Sequence, residues 1–464
     1  MENRKENFSQ WYNEIIETAG MLDKRYPVKG MNIWMPYGLK ISQQLDMFIR
    51  KFCDSSGINE VSFPLLITRG QLAVEFEHLK GFEGQVFWVT KGGTEQLEED
   101  MSLRPTSESA MYPMFSLWIR THGDLPLKIY QIVNVYRYET KHTRAFLRDR
   151  EIHFFEAHTA HESFEDAEKE IEEYLAIWKE VARVMCVPYV IHRRPEWDKF
   201  PGARYSNAVD TVMPSGRTLQ LATLHQYAEN FSKPYEITYS DESGERKFVH
   251  QTTYGMSSRL IGAMVGIHGD DKGLILPPDL APVQVVIVPI PSGTDTISYA
   301  KKIYELILAS GVRVKLDDRD SYTPGYKYND WEMRGVPIRI EIGEREVGSS
   351  SVTLVLRTEK GKKKIESSKL LDAINESLNL IREHMTAKAI EQLGSMLKDS
   401  PSLDDMVKWN GASQAAWCGK KECADEIEAK TEKICLGYRL DIEKSGKCIV
   451  CGDQGKLATF SRTY

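Results

Sequence analysis

"RYETKHTRAFLRDREIHFFEAHTAH", residues 137–161, holds thirteen side chains that can carry charge, yet it lies between two stretches that alternate like β-strands. On a strand, every second residue faces the same way. A strand over 128–139 therefore puts Val133, Val135, Arg137 and Glu139 on one face. After a polar turn, a second strand puts Phe154, Glu156 and His158 together. So many cations and carboxylates on the floor of a sheet imply a charged ligand.

One chemistry that such a hairpin would suit is attack of a carboxylate on the α-phosphate of ATP. The nucleophile is already ionised, so no base is required. The task is to hold two anions together and to stabilise charge on the phosphoryl oxygens. An Arg fork on a rigid strand bridges phosphate and carboxylate oxygens. A Glu two residues on accepts from the adenine amino group. Arg137 and Glu139 supply both, and Arg148 in the turn reaches toward the outer phosphates. Taken alone, an R-x-E pair reads more readily as a structural ion pair.

Working outward, a chain of 464 residues exceeds one core and divides into several domains. A net charge of −7 excludes an overall basic surface, so contact with nucleic acid needs a local patch. "MENRKENFSQWYNEI" has no signal-peptide core, and no apolar run reaches membrane-span length. Residues 38–67 begin as an amphipathic helix carrying Ile41, Leu45, Phe48 and Phe52, followed by an edge or interface strand that stops at Pro64. Residues 163–186 read as a helix with Ile171, Tyr174, Leu175, Trp178, Ala182 and Met185 inward. "QTTYGMSSRLIGAMVGIHGD" reads as a strand entering a buried helix. A β–α–β unit starts near Pro282 and ends with a helix over 368–396.

Of seven cysteines, five follow residue 417. Cys418 and Cys423 form one close pair, Cys448 and Cys451 another. Such spacing matches a structural Zn2+ site of four thiolates. Cys435 reads as core, and Cys53 and Cys186 as buried thiols of a reducing compartment.

These motifs carry a resemblance. The helix and strand ending in Pro64 look like motif 1 of the class II aminoacyl-tRNA synthetases. "RYETKHTRAFLRDREIHFFEAH" looks like motif 2, and "YGMSSRLIGAMVGIHGDDKGLILPP" like motif 3. More narrowly, "LRPTSE" (103–108), "RTLQLATLHQYAENFS" (217–232), "HGDDKGLILPP" (268–278) and the tail "WCGKKEC…CIVCG…SRTY" resemble the prolyl-tRNA synthetases of archaeal and eukaryotic type.

The resemblance implies an α+β and α/β multidomain fold. Its parts are a catalytic domain on an antiparallel sheet (1–282), an α/β anticodon-binding domain (283–396) and a small zinc-binding α/β domain (397–464). It places Arg137, Glu139, Arg148, Gln220, Thr223 and Arg259 on ATP. Thr106, Glu108, Arg137, Phe154, Glu156, His158, His225 and Ser257 fall where the family binds proline. Arg137 and Arg259 are the catalytic pair, and Arg339 and Glu341 are candidates for reading anticodon bases; the run "KGKKK" (360–364) reads equally as a phosphate contact or a solvated turn.

ATP, Mg2+ and structural Zn2+ are the implied cofactors; L-proline, tRNA(Pro) and a second copy of the chain are the implied partners. Neither DNA nor a membrane is among them, and the expected location is the cytoplasm. The alternatives are a sibling synthetase for threonine, glycine, serine or histidine, or a synthetase-like protein that binds tRNA or amino acid without joining them.

Two positions depart from the family: Phe154 replaces its usual Trp and Leu221 its usual Gly. The two changes conserve pocket volume only if they face each other. An apolar cavity rejects smaller ligands by only ~1–3 kcal/mol, so activation of alanine or cysteine is expected. The gap between motifs 2 and 3 leaves no room for a large editing insertion.

Overall fold

The computed structural model describes residues 3–4, 6–76, 83–140, 142–290 and 294–464. A twelve-stranded sheet runs through most of the molecule. The elements that position the site are α1 (Pro36–Ser55), β1 (Asn59–Glu60), α2 (Glu108–Trp118), β2 (Leu127–Tyr136), β3 (Glu151–His161), α3 (Phe164–Met185), β4 (Val190–Arg193), β5 (Tyr205–Val212), β6 (Thr218–Ala228), β7 (His250–Ser257) and α4 (Arg259–His268). Their order across the sheet is β4-β5-β6-β7-β3-β2-β1. Every pairing is antiparallel except the short β1 alongside β2, where it forms the edge expected from Pro64.

Helix α3 starts where the Ser163 hydroxyl accepts from the Asp166 amide and ends at Cys186 in a left-handed conformation. It buries Ile171, Tyr174, Trp178, Ala182 and Met185 as the pattern required, while Leu175 is only partly covered. That face joins Trp11, Ile41, Leu45 and Ile261 in the main core, which floors the sheet. Helix α4 is apolar all round, and its Gly262 and Gly266 let Leu147, Tyr12 and Met213 approach where a Cβ would collide.

A second sheet holds β8 (Val285–Pro289), β9 (Val314–Leu316), β10 (Ile338–Ile342), β11 (Ser351–Leu356) and β12 (Lys363–Glu366) in the order β9-β8-β10-β11-β12. The first three are parallel and the last two antiparallel. Helix α5 (Thr294–Ala309) makes the crossover, α6 (Pro324–Met333) precedes β10, and α7 (Leu370–Met396) leads back to the main sheet. Leu393 of α7 packs there with Val190, Val212 and Ala412.

The last part contains β13 (Leu397–Asp399), β14 (Ala412–Trp417), α8 (Lys421–Thr431), β15 (Ile434–Arg439) and β16 (Gln454–Ser461). It has no separate sheet. Tyr438 and Arg439 of β15 pair with Arg193 and His192 of β4, so the order β13-β14-β16-β15 extends the catalytic sheet. Gly437 permits this junction: at φ +106 its missing Cβ would sit 1.9 Å from the Arg193 carbonyl oxygen. No described helix is long and apolar enough to cross a membrane.

Candidate active site

A cavity of about 340 Å³ opens over β3, β6 and β7. Thr106, Glu108, Arg137, Glu139, Arg148, Phe154, Glu156, His158, Gln220, Thr223, His225, Ser257 and Arg259 all line it. All the residues expected to hold nucleotide or amino acid are thus brought together. Arg339 and Glu341 lie elsewhere, on β10.

One end is acidic and deeply buried. Glu108 occupies the first turn of α2, where the helix dipole favours a carboxylate, and is 2% exposed. It accepts from the Thr106 hydroxyl and, at 3.1 Å, from Tyr227. Glu156 on β3 accepts from Ser107, from Gln131 Nε2 at 2.8 Å and from His158 Nε2 at 3.3 Å. Burial opposes charge on both members of the Glu156–His158 pair. Their contact outweighs it, holding the carboxyl below its ordinary range and the imidazole above its own. Ligand atoms of Glu108, Glu156 and His158 lie within 4.8 Å of one another. Two acidic side chains beside one imidazole suit a cationic group of a ligand.

The other end is cationic. Three arginines are each tied to a backbone carbonyl: Arg137 Nε to Pro105 at 3.0 Å, Arg259 Nε to Leu147 at 2.9 Å and Arg148 Nη2 to Tyr464 at 2.9 Å. Burial, and then repulsion from Arg137 and Arg148, lowers the Arg259 guanidinium to about 10. Such a cluster suits polyanionic phosphate. The turn carrying Arg148 is tight: residues 144 and 148 exchange backbone hydrogen bonds at 2.9 and 2.8 Å, and Phe146 takes φ +65. The Phe146 amide donates to Asp149 at 2.8 Å, and burial pushes that carboxyl up to about 7.

Arg137 stands between the ends, its guanidinium 5.9 Å from the Phe154 ring. The expected strand over 128–139 is shorter than the pattern suggested. β2 stops at Tyr136; the Arg137 amide makes one further rung to Arg150, and the Glu139 amide turns back to Arg137 at 2.8 Å. Glu139 therefore reaches the cavity from a turn, not from the face of a strand.

Phe154 and Leu221 both line the cavity. Leu221 is the unopposed residue of a bulge, because Ala222 pairs with Val209 and Gln220 with Asp210. The Phe154 ring lies over Gly255, whose absent Cβ would fall 3.2 Å from Cζ. His225 is held neutral, pushed down to about 3 by burial and by neighbouring His158, with Nδ1 2.7 Å from Ser206 Oγ.

The sequence reading did not single out Ser107, Gln131, Tyr227 or the wall formed by Arg194, Asp198, Phe200 and Ser206. Gln131 was accessible: it precedes Val133, Val135 and Arg137 on the same strand face.

Away from the cavity, the sulfurs of Cys418, Cys423, Cys448 and Cys451 lie within 4.8 Å of one another, with Cys418 3.6 Å from Cys423 and 3.7 Å from Cys451. A tetrahedron built on bonds of ~2.3 Å has edges of about 3.8 Å, so the donor set fits zinc. Cys435 stands apart, its thiol pushed up to about 12 by burial. On β10, Arg339 donates to Glu341 at 2.9 Å, its guanidinium lies 4.3 Å from the Tyr328 ring, and Lys362 joins the same carboxylate.

Comparison with known proteins agrees with this geometry. Residues 87–268 match the tRNA synthetase class II core domain (G, H, P, S and T), 284–377 an anticodon binding domain, and 403–464 the prolyl-tRNA synthetase C-terminal domain. The proline–tRNA ligase of Thermoplasma volcanium is 60% identical, and that of Thermoplasma acidophilum 58%, over the whole of each chain. The chain belongs to the prolyl-tRNA synthetase family.

Solved structures of prolyl-tRNA synthetases superpose closely. The Giardia lamblia enzyme in complex with prolyl-adenylate is 32% identical, with a TM-score of 0.96 over 99% of each chain. The Cryptosporidium parvum enzyme with halofuginone and AMPPNP is 33% identical, with a TM-score of 0.96 over 100% of this chain and 99% of that one.

Proposed function

We propose that this chain is a proline–tRNA ligase that forms prolyl-adenylate from proline and ATP and then transfers the prolyl group to the 3′ end of tRNA(Pro). The observation that carries the reading is the polarity of the cavity. Glu108, Glu156 and His158 want one cation at one end, and Arg137, Arg148 and Arg259 want phosphate at the other. Proline offers a secondary ammonium, with its carboxylate directed at Arg137. Phe154 covers the ring, which has no polar side-chain atom to read.

In the first step a proline carboxylate oxygen bonds to the α-phosphorus and the bond to the β-phosphate oxygen breaks, releasing pyrophosphate. Arg137 bridges carboxylate and α-phosphoryl oxygens and offsets the charge that builds there. Arg148 and Arg259 hold the outer phosphates, Glu139 and Gln220 the base end. In the second step a hydroxyl of the terminal ribose attacks the acyl carbon and AMP leaves. Magnesium accompanies the ATP phosphates as a counter-ion.

The four cysteines would hold a structural zinc ion, joining Cys418 and Cys423 at the start of α8 to Cys448 and Cys451 in the turn before β16. A homodimer forms across the α1 side, where Ile33, Met35, Leu39, Met47, Leu65 and Leu66 are exposed apolar residues. Arg339 and Glu341 read anticodon bases with Lys362 beside them, and the enzyme works in the cytoplasm. Alanine and cysteine are activated weakly, since Phe154 over Gly255 excludes larger side chains better than smaller ones.

ATP–pyrophosphate exchange against all amino acids tests the reading. Proline should dominate, with weak alanine and cysteine signals. Exchange with threonine, glycine, serine or histidine but not proline would overturn it.

A further inference from the structure

Nothing in the reaction above uses the segment joining β4 to β5, yet it closes one wall of the cavity. Arg194, Asp198, Phe200 and Ser206 face inward from it or its end. The Phe200 ring lies 4.8 Å from the His225 ring, and the Phe200 amide donates at 2.9 Å to the Ser206 hydroxyl that also meets His225. Residues 194–204 have no strand ladder of their own. What fixes them comes from behind.

The centre of that support is Asp210 on β5, which is fully buried. It accepts from His192 Nδ1 at 2.7 Å and from Arg194 Nη2 at 3.0 Å. His192 Nε2 continues to Thr459 Oγ1 on β16 at 2.9 Å, and Arg194 Nη1 to the Leu436 carbonyl on β15 at 3.1 Å. Trp197, 41% exposed, sets its ring edge-on against Trp417 at 5.7 Å. The wall of the cavity is therefore tethered to strands of the C-terminal part at Arg194 and Trp197, and the strand that leads into it at His192. A buried ionic cluster is a poor source of stability but a good way to specify one arrangement, since each member loses its partner if the others shift.

We infer that Arg194 is a positioning residue for the amino-acid end of the cavity. It joins Asp210 on the catalytic sheet to the Leu436 carbonyl, and so sets where Phe200, and through it His225, stands against the substrate ring. The C-terminal strands thereby determine how well the amino acid is held, while the arginines that take the nucleotide hang from other carbonyls. The inference rests on the proline reading of the cavity.

The test is exchange kinetics on full-length Arg194→Met, Arg194→Lys and Trp197→Ala, varying proline at saturating ATP and ATP at saturating proline. Circular dichroism melts check folding. Arg194→Met should raise the KM for proline roughly tenfold or more, with the KM for ATP within about twofold. Arg194→Lys, which keeps the charge opposite Asp210 but not the fork, should fall between. Trp197→Ala should move the same constant by about threefold.

An unchanged proline KM in folded Arg194→Met overturns the inference. So does a parallel rise in both constants, which would mean general loosening. If Arg194→Met does not fold, the exposed Trp197→Ala variant decides, and a failure of both to fold assigns the cluster to stability alone. Absence of proline-dependent exchange in the unsubstituted enzyme would instead remove the proline reading itself.

Discussion

In the proposed reaction Arg137 is the residue on which the chemistry turns, because it stands beside both the Phe154 ring and the cationic end. Arg137→Ala should lower kcat/KM for pyrophosphate exchange about 100- to 1,000-fold while tRNA binding by filter retention changes little. Equal losses in both assays would show that it acts elsewhere. Asp149 offers a test by pH. Burial raises its carboxyl to about 7, against an ordinary value of ~4, so between those values the folded chain keeps a proton that the unfolded chain has released. Its contribution is full below about 4 and lost as pH rises through 7. Asn cannot ionise, so the melting temperature of Asp149→Asn relative to the parent should climb from pH 5 to pH 8. A difference that stays constant would contradict the raised value.

At the scale of elements, period-two alternation was enough to place Phe154, Glu156 and His158 on one strand face, and helical spacing was enough to find α1 and α3. Those patterns are local, and each is imposed by a single buried face. What escaped was set by partners distant in sequence. The early end of β2 depends on where Arg137 meets Arg150, and the bulge at Leu221 depends on the count of residues on β5. Gln131 was passed over because a buried amide gains its role only from Ser107 and Glu156, which arrive from α2 and β3.

Two predictions belong to this scale. In Gly255→Ala the new methyl would lie 3.2 Å from Phe154 and 3.3 Å from Thr223, pushing the ring into the cavity. The KM for proline should rise about 3- to 10-fold with that for ATP unchanged, and a shift in ATP alone would misplace the ring. Cys448→Ser should remove about one equivalent of zinc per chain by atomic emission and lower the melting temperature. Full metal content in the variant would show that this cysteine is not a ligand.

Across the whole molecule, residues 397–464 add five strands to the catalytic sheet. Sequence could mark them off by their cysteines but could not reveal the Tyr438–Arg193 pairing, which joins residues some 245 apart. Their end returns to the cavity: the Tyr464 hydroxyl meets Ser215 at 2.7 Å and its carbonyl holds Arg148 at 2.9 Å. Removing Thr463 and Tyr464 should therefore raise the KM for ATP several-fold more than that for proline, since Arg148 loses its anchor. Equal effects would mean that the tail serves the fold and not the nucleotide.

That return has a bearing on how the enzyme is born. A ribosome builds the motif 2 turn early and the segment that steadies its arginine more than three hundred residues later. A product cut short before residue 464 would carry Arg137, Arg148 and Arg259 and still lack the carbonyl that seats Arg148.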